Sequence, residues 1–192
     1  MSLFVRPFNR NLIEAPHGLV LPPKVATLDL EIGCGVGWHP VTYAKQNHER
    51  TLIAIEHTRE KFQKFSARAE KHALTNLIPV HADAVRYVTH AISPQSIDRV
   101  FILYPNPEEQ ASNKRWLRMP FFSELLSKVK VGGTVQLATN IAHYAEEAKQ
   151  YATGVWGLAC IAESNPKTPR THFEKKYLER GETCFDLIFQ KP

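Results

Sequence analysis

The stretch Leu28-Asp29-Leu30-Glu31-Ile32-Gly33-Cys34-Gly35-Val36-Gly37 constrains this chain more than any other. An apolar run reaches an acidic residue, and glycine then takes alternate positions. The pattern predicts a buried first strand, a tight turn and the start of a helix. Glycine admits positive φ there and lets a ligand approach the main chain. The following helix would aim its N-terminal amides at that ligand. Gly-x-Gly-x-Gly fits the dinucleotide fingerprint Gly-x-Gly-x-x-Gly poorly.

The rest of the chain repeats strand and helix. Strand one is read from Val25 to Ile32, a helix from Trp38 to Asn47, and a second buried strand from Thr51 to Glu56. Phe62, Phe65 and Ala69 stripe a helix from Thr58 to His72. Strand three is Leu77 to Val80, and strand four is Ile97 to Leu103, followed by a long polar loop from Tyr104 to Arg118. A helix from Phe121 to Val129 is read to stop at Lys130-Val131-Gly132-Gly133, before strand five from Thr134 to Thr139. A helix from Ala142 to Thr153, strand six from Gly157 to Ala162, a loop from Glu163 to Pro169 and a last strand from Thr183 to Phe189 complete the order. This is one doubly wound α/β domain over residues 25–192. Residues 1–24 carry four prolines and no periodicity, and read as an arm lying on the domain or partly mobile. Arg6 and Arg10 there are expected in solvent, within reach of a phosphate at most.

The 192 residues suffice for one full core. No apolar run spans a bilayer and the N-terminus has no signal-peptide core, so a cytoplasmic protein is expected. Cys34, Cys160 and Cys184 are scattered, and the nine histidines lack ligand spacing. No disulfide framework and no metal site is expected, and each histidine is read as a surface or boundary residue. The net charge of +5 leans toward an acidic partner such as RNA.

Two carboxylates stand at sites that suit a nucleoside. Glu56 lies about twenty residues beyond the glycines, where such folds place an acid on the ribose diol. Asp83, after strand three, suits the N-cap of the next helix; equally, a resemblance to methyltransferase folds, where an acid and a small residue at this place sit beside the adenine, implies that it accepts from the adenine amine. The loop after strand four is the expected substrate element, because ligands bind at the carboxyl ends of strands.

The glycine stretch resembles the first motif of S-adenosyl-L-methionine (SAM) dependent methyltransferases. The whole chain, from about residue 25 to 189, resembles bacterial tRNA (guanine-N7-)-methyltransferases. Their Glu-Ile-Gly-x-Gly-x-Gly is Glu31 to Gly37, their Ile-Glu is Ile55-Glu56, and their Asp-Ala is Asp83-Ala84. Gly132-Gly133, Ala138-Thr139-Asn140, Tyr144-Ala145-Glu146, Thr171-His172-Phe173-Glu174 and Asp186-Leu187-Ile188-Phe189 match in type and spacing. The resemblance implies a Rossmann-like class I methyltransferase fold. It implies SAM held by Glu31, Gly33, Gly35, Gly37, Glu56, Asp83 and Ala84. It places Asn106 and Asn140 at the reacting purine, and Gln110, Lys114, Arg115, Asn140, Thr171, Phe173 and Glu174 on the tRNA substrate. Arg118, Lys167, Arg170, Lys175, Lys176 and Arg180 would add phosphate contacts.

The chain departs from that family at the purine. Asn106 and Asn140 stand where the family has aspartates, Glu108 where it has tryptophan, and Gln110 where it has lysine. Guanine's Watson–Crick edge offers an N–H and an amine, and a carboxylate accepts from both. An asparagine offers one acceptor and one donor group, a loss on the order of 1–2 kcal/mol per site. Three readings follow: a guanine-N7 methyltransferase with a remodelled pocket, a methyltransferase for another acceptor, and a non-catalytic SAM- or RNA-binding relative. Asn106-Pro107 faintly resembles the Asn-Pro-Pro-aromatic motif of exocyclic-amine methyltransferases, which favours the second.

Overall fold

The computed structural model describes residues 3–192. Its seven strands are β1 (Leu28–Ile32), β2 (Thr51–Glu56), β3 (Leu77–His81), β4 (Ile97–Leu103), β5 (Val129–Thr139), β6 (Ala159–Ser164) and β7 (Phe185–Gln190). They form one sheet in the order β3-β2-β1-β4-β5-β7-β6. The first five are parallel, and β7 pairs antiparallel with both β5 and β6. Six α-helices connect them: α1 (Trp38–Gln46), α2 (Arg59–Lys71), α3 (Ala84–Ala91), α4 (Phe121–Lys128), α5 (Ala142–Gly154) and α6 (His172–Glu179).

Period-two alternation along β1 explains the two layers. Leu28, Leu30 and Ile32 face a core with Tyr87 and Val88 of α3, Phe122 and Leu125 of α4, and Tyr144 and Ala148 of α5. On the other face Leu52 and Ala54 of β2 and Phe101 of β4 pack with Val41 of α1 and Phe65 of α2. Beyond β4 this second face turns polar. Gln136 of β5 donates to Asp186 of β7 at 2.8 Å, and Asp186 also receives Arg170 at 2.7 Å.

The arm straps onto the first layer. Phe8 meets Phe121 edge-on at 5.8 Å, the Tyr87 hydroxyl donates to Val20 O at 3.0 Å, and His90 Nε2 lies 2.6 Å from Ile13 O. Arg6 and Arg10 are both exposed, and Arg10 also donates to Thr89 O at 3.1 Å.

Five expectations are corrected. Lys130 to Gly133 is not a stop before β5 but a bulge inside it, between the Ile97–Val129 and Arg99–Thr134 pairs. Strand one starts at Leu28 and strand six runs to Ser164. Residues 172–179, left without an element, form α6. His39 is buried rather than at a boundary. Among the described residues no helix is long and apolar enough to cross a membrane, and no cluster of His, Cys, Asp or Glu is placed to hold a metal.

Candidate active site

The glycine turn is built for two purposes. Gly33, Gly35 and Gly37 all have positive φ, at +73°, +61° and +78°. A Cβ on Gly37 would lie 2.0 Å from Phe65 Cδ2, so this glycine lets α1 approach α2. A Cβ on Gly33 or Gly35 would meet nothing within 4 Å. Those two face open space at the carboxyl end of β1, where a side chain would obstruct a ligand.

Two acids flank the turn. Glu56 is buried at the end of β2; its Oε2 accepts from Gly35 N at 2.9 Å and its Oε1 from Thr58 N at 2.7 Å. Glu31 is buried at the end of β1, with Oε2 2.7 Å from His39 Nδ1. A carboxylate only accepts, so that nitrogen carries the proton. His39 gave no sequence signal, because a lone histidine on a helix has no pattern. Burial, then the charges of Glu31 and Glu56, push the Cys34 thiol up, so it stays neutral. Asp83 caps α3, accepting from Arg86 N at 2.9 Å, and is exposed, with half-buried Ala84 behind it. The N-cap role leaves its other lone pairs open to solvent.

The fold then brings the distant C-terminal segment onto this turn. Glu31, Gly33, Gly35, Trp38 and His39 share a cavity of about 30 Å³ with Thr171, His172 and Phe173. That is room for about one water. Thr171 caps α6 by accepting from Glu174 N at 2.9 Å, and Phe173 is exposed.

Glu174 itself turns away from that cavity and is fully buried. Its carboxylate accepts from the Tyr104 hydroxyl at 2.6 Å and from Arg170 N, Nε and Nη2 at 2.6, 3.1 and 2.6 Å. Burial alone would raise its pKa, but bonds from Arg170 and Tyr104 outweigh this and hold the carboxyl below its ordinary range. Arg170 also reaches Asp186. Tyr104 follows β4 at φ +52°, a left-handed conformation unusual for a tyrosine. Glu174 thus ties the loop after β4 to the segment over the glycines. Neither Tyr104 nor Arg170 was legible as its partner, since only the tertiary fold joins them.

The remaining expected residues spread outward. Asn106 is exposed, and its Oδ1 accepts from Glu108 N at 3.3 Å within its own turn. Asn106, Gln110 and Lys114 line an open hollow of about 550 Å³, apart from the glycine cavity. Arg115 turns inward, 5% exposed, donating to Pro107 O at 2.7 Å and Glu147 at 2.6 Å, 5.0 Å over the Tyr144 ring. Its guanidinium is engaged within the protein rather than offered to a phosphate. Asn140 directly follows β5 and donates from Nδ2 to Glu182 Oε2 at 2.7 Å.

A basic groove escaped the sequence reading. Lys45 of α1 and Lys64, Arg68 and Lys71 of α2 line a hollow of about 670 Å³ with His72, and no acidic side chain lines it. It adjoins the glycine cavity, since Val36 and Trp38 line both.

Comparison with known proteins gives the family and the fold. The family described as "Putative methyltransferase" matches residues 26–187. A tRNA (guanine-N(7)-)-methyltransferase of Yersinia enterocolitica is 32% identical over 176 residues, 88% of this chain and 74% of the relative. One of Nitrosomonas eutropha is 31% identical over 191 residues, 96% of this chain and 84% of the relative. Among solved structures, the 16S rRNA methyltransferase KamB superposes with a TM-score of 0.67 over 88% of this chain and 89% of its own, at 19% identity. A SAM-dependent methyltransferase of Aquifex aeolicus gives 0.63 over 88% and 84%, at 13% identity. The structural likenesses establish the fold, and the sequence relatives go further: the chain belongs to the tRNA (guanine-N7-)-methyltransferase family, on the fold of class I SAM-dependent methyltransferases.

Proposed function

We propose that this protein transfers the methyl group of SAM to N7 of a guanine in tRNA, as a cytoplasmic enzyme. The observation that carries this reading is the meeting of Thr171, His172 and Phe173 with Glu31, Gly33 and Gly35 around one cavity. A cofactor turn and a substrate segment converge there from opposite ends of the chain.

The residues suit the cofactor. Gly33 and Gly35 leave clear space, and the Glu56 carboxylate has lone pairs left for a ribose diol. Glu31, oriented by His39, places negative charge beside the turn. SAM supplies a methyl on cationic sulfur; the guanine N7 lone pair forms the new N–C bond as the S–C bond breaks. No proton leaves N7, so no general base is needed. The protein's task is to align the purine and stabilise the positive charge growing on it. Exposed Phe173 offers a stacking face at the cavity mouth. Exposed Lys114, Lys167, Lys175, Lys176 and Arg180 support phosphate contacts on the substrate side. The basic groove between α1 and α2 supports a longer tRNA footprint. The amine-methylating alternative is weakened at Asn106, which lines a hollow apart from the glycine cavity.

The test is transfer of labelled methyl from SAM to unmodified tRNA, followed by nucleoside digestion. Label in 7-methylguanosine is expected. Label in another nucleoside, or none while SAM binding is measured in the same preparation, would overturn the assignment.

A further inference from the structure

We propose that Glu182 supplies the carboxylate that reads guanine in this site, with Asn140 holding it in place. This rests on the guanine-N7 reading above and deepens it.

Glu182 lies in the turn between α6 and β7, where its backbone N–H donates to Tyr177 O at 3.0 Å. Its Oε2 takes the 2.7 Å bond from Asn140 Nδ2. The side chain is 34% exposed, and the nearest cation, Arg180 Nη1, is 3.9 Å from Oε1, beyond hydrogen-bond reach. One carboxylate oxygen is therefore fixed while the other stays open to a ligand. The pair sits at the carboxyl ends of β4 and β5, which Tyr104 N → Ala138 O joins at 2.8 Å. Ligands in open α/β sheets bind at that end. The neighbouring wall is aromatic: Tyr177 packs 5.6 Å from Tyr104 and stacks on Phe173 at 6.3 Å and 21°.

The chemistry matches the departure noted in the sequence. An amide at the end of β5 brings no charge to a guanine edge that offers two donors. A carboxylate bonded to that amide restores the charge within one hydrogen-bond length. Its open oxygen can accept from N1–H and the amine, and Oδ1 of Asn140 adds a further acceptor. The same charge faces the purine as it becomes cationic. The two positions work as a unit. An acid at 140 would put two carboxylates 2.7 Å apart, and one would have to take a proton.

That coupling gives a test. Glu182→Gln is expected to lower kcat/KM for tRNA methylation by roughly tenfold or more, with SAM Kd and Tm unchanged. Asn140→Asp alone is expected to lower it as well. The double variant, with the acid and amide exchanged, is expected to recover to within roughly threefold of wild type. Wild type is expected to prefer guanosine over inosine at the methylated position, because inosine lacks the amine; Glu182→Gln should shrink that preference. If wild type forms 7-methylguanosine while Glu182→Gln matches its kcat/KM, the role of Glu182 is overturned and the methylation stands. Loss without rescue by the exchange, or equal loss on guanosine and inosine, also overturns it. If wild type forms no 7-methylguanosine while binding SAM, the methylation reading falls and the proposal falls with it.

Discussion

Replacing Glu174 by glutamine keeps the shape of the side chain and removes one fully buried charge. The carboxylate accepts four bonds, three of them from Arg170. A glutamine amide must turn its NH2 toward one oxygen's donors. Tyr104 can rotate its hydroxyl to accept, but Arg170 has no acceptor to offer. At least one arginine N–H is then left facing another donor. Breaking a buried pair costs about 3–5 kcal/mol, and the low end, about 3 kcal/mol, applies because Arg170 keeps Asp186. For a domain of this size that lowers Tm by about 6–12 °C. Thermal and urea unfolding followed by circular dichroism would measure it. Acid sets a second check. A carboxyl depressed in the fold stabilises fully above its unfolded pKa, and this contribution fades as pH falls through the folded value. The stability gap between wild type and Glu174→Gln should therefore hold near neutral pH and close below 4.5. A gap under about 0.5 kcal/mol, within the usual range of surface changes, would refute the tie. So would an unchanged Tm with kcat/KM abolished, since that outcome would put Glu174 on the guanine instead.

The glycine turn should separate packing from binding. Gly37→Ala drives a methyl into Phe65 and should unfold the protein or cost more than the ~1–2 kcal/mol of left-handed strain alone. Gly35→Ala meets no protein atom, so it should cost only that strain while weakening SAM binding by calorimetry roughly tenfold or more. Equal loss of stability in the two would deny Gly35 a ligand-facing role. In the basic groove, Lys45→Ala, Arg68→Ala and Lys71→Ala should each flatten the salt dependence of tRNA affinity by roughly one unit of log–log slope. An unchanged slope in the triple variant would exclude that face from the tRNA footprint.

What the sequence revealed and concealed follows from the kind of force at each place. β2 and β4 match their readings because the apolar runs Leu52–Ile55 and Val100–Leu103 suit strands buried on both faces of a parallel sheet. α6 was invisible to periodicity because its one buried residue is a charge, Glu174. A different signal was present in Thr171-His172-Phe173-Glu174: threonine followed three residues later by glutamate marks a helix start. The structure builds that cap with a shift, since Thr171 accepts from Glu174 N while the Glu174 carboxylate reaches back to Arg170 N rather than to the cap. The same four residues thus carry the helix cap and the buried tie to Tyr104. Recognition by motif points to the segment, but only tertiary geometry divides its labour: Phe173 outward at the cavity mouth, Glu174 inward against Arg170. Arg115 teaches the reverse lesson. Within Asn113-Lys114-Arg115, composition cannot tell the exposed lysine from the buried arginine, because the difference lies in Glu147, thirty-two positions away on α5. A charge's role depends on what the fold sets against it, and Asn140 with Glu182 is the instance where that dependence bears on the chemistry.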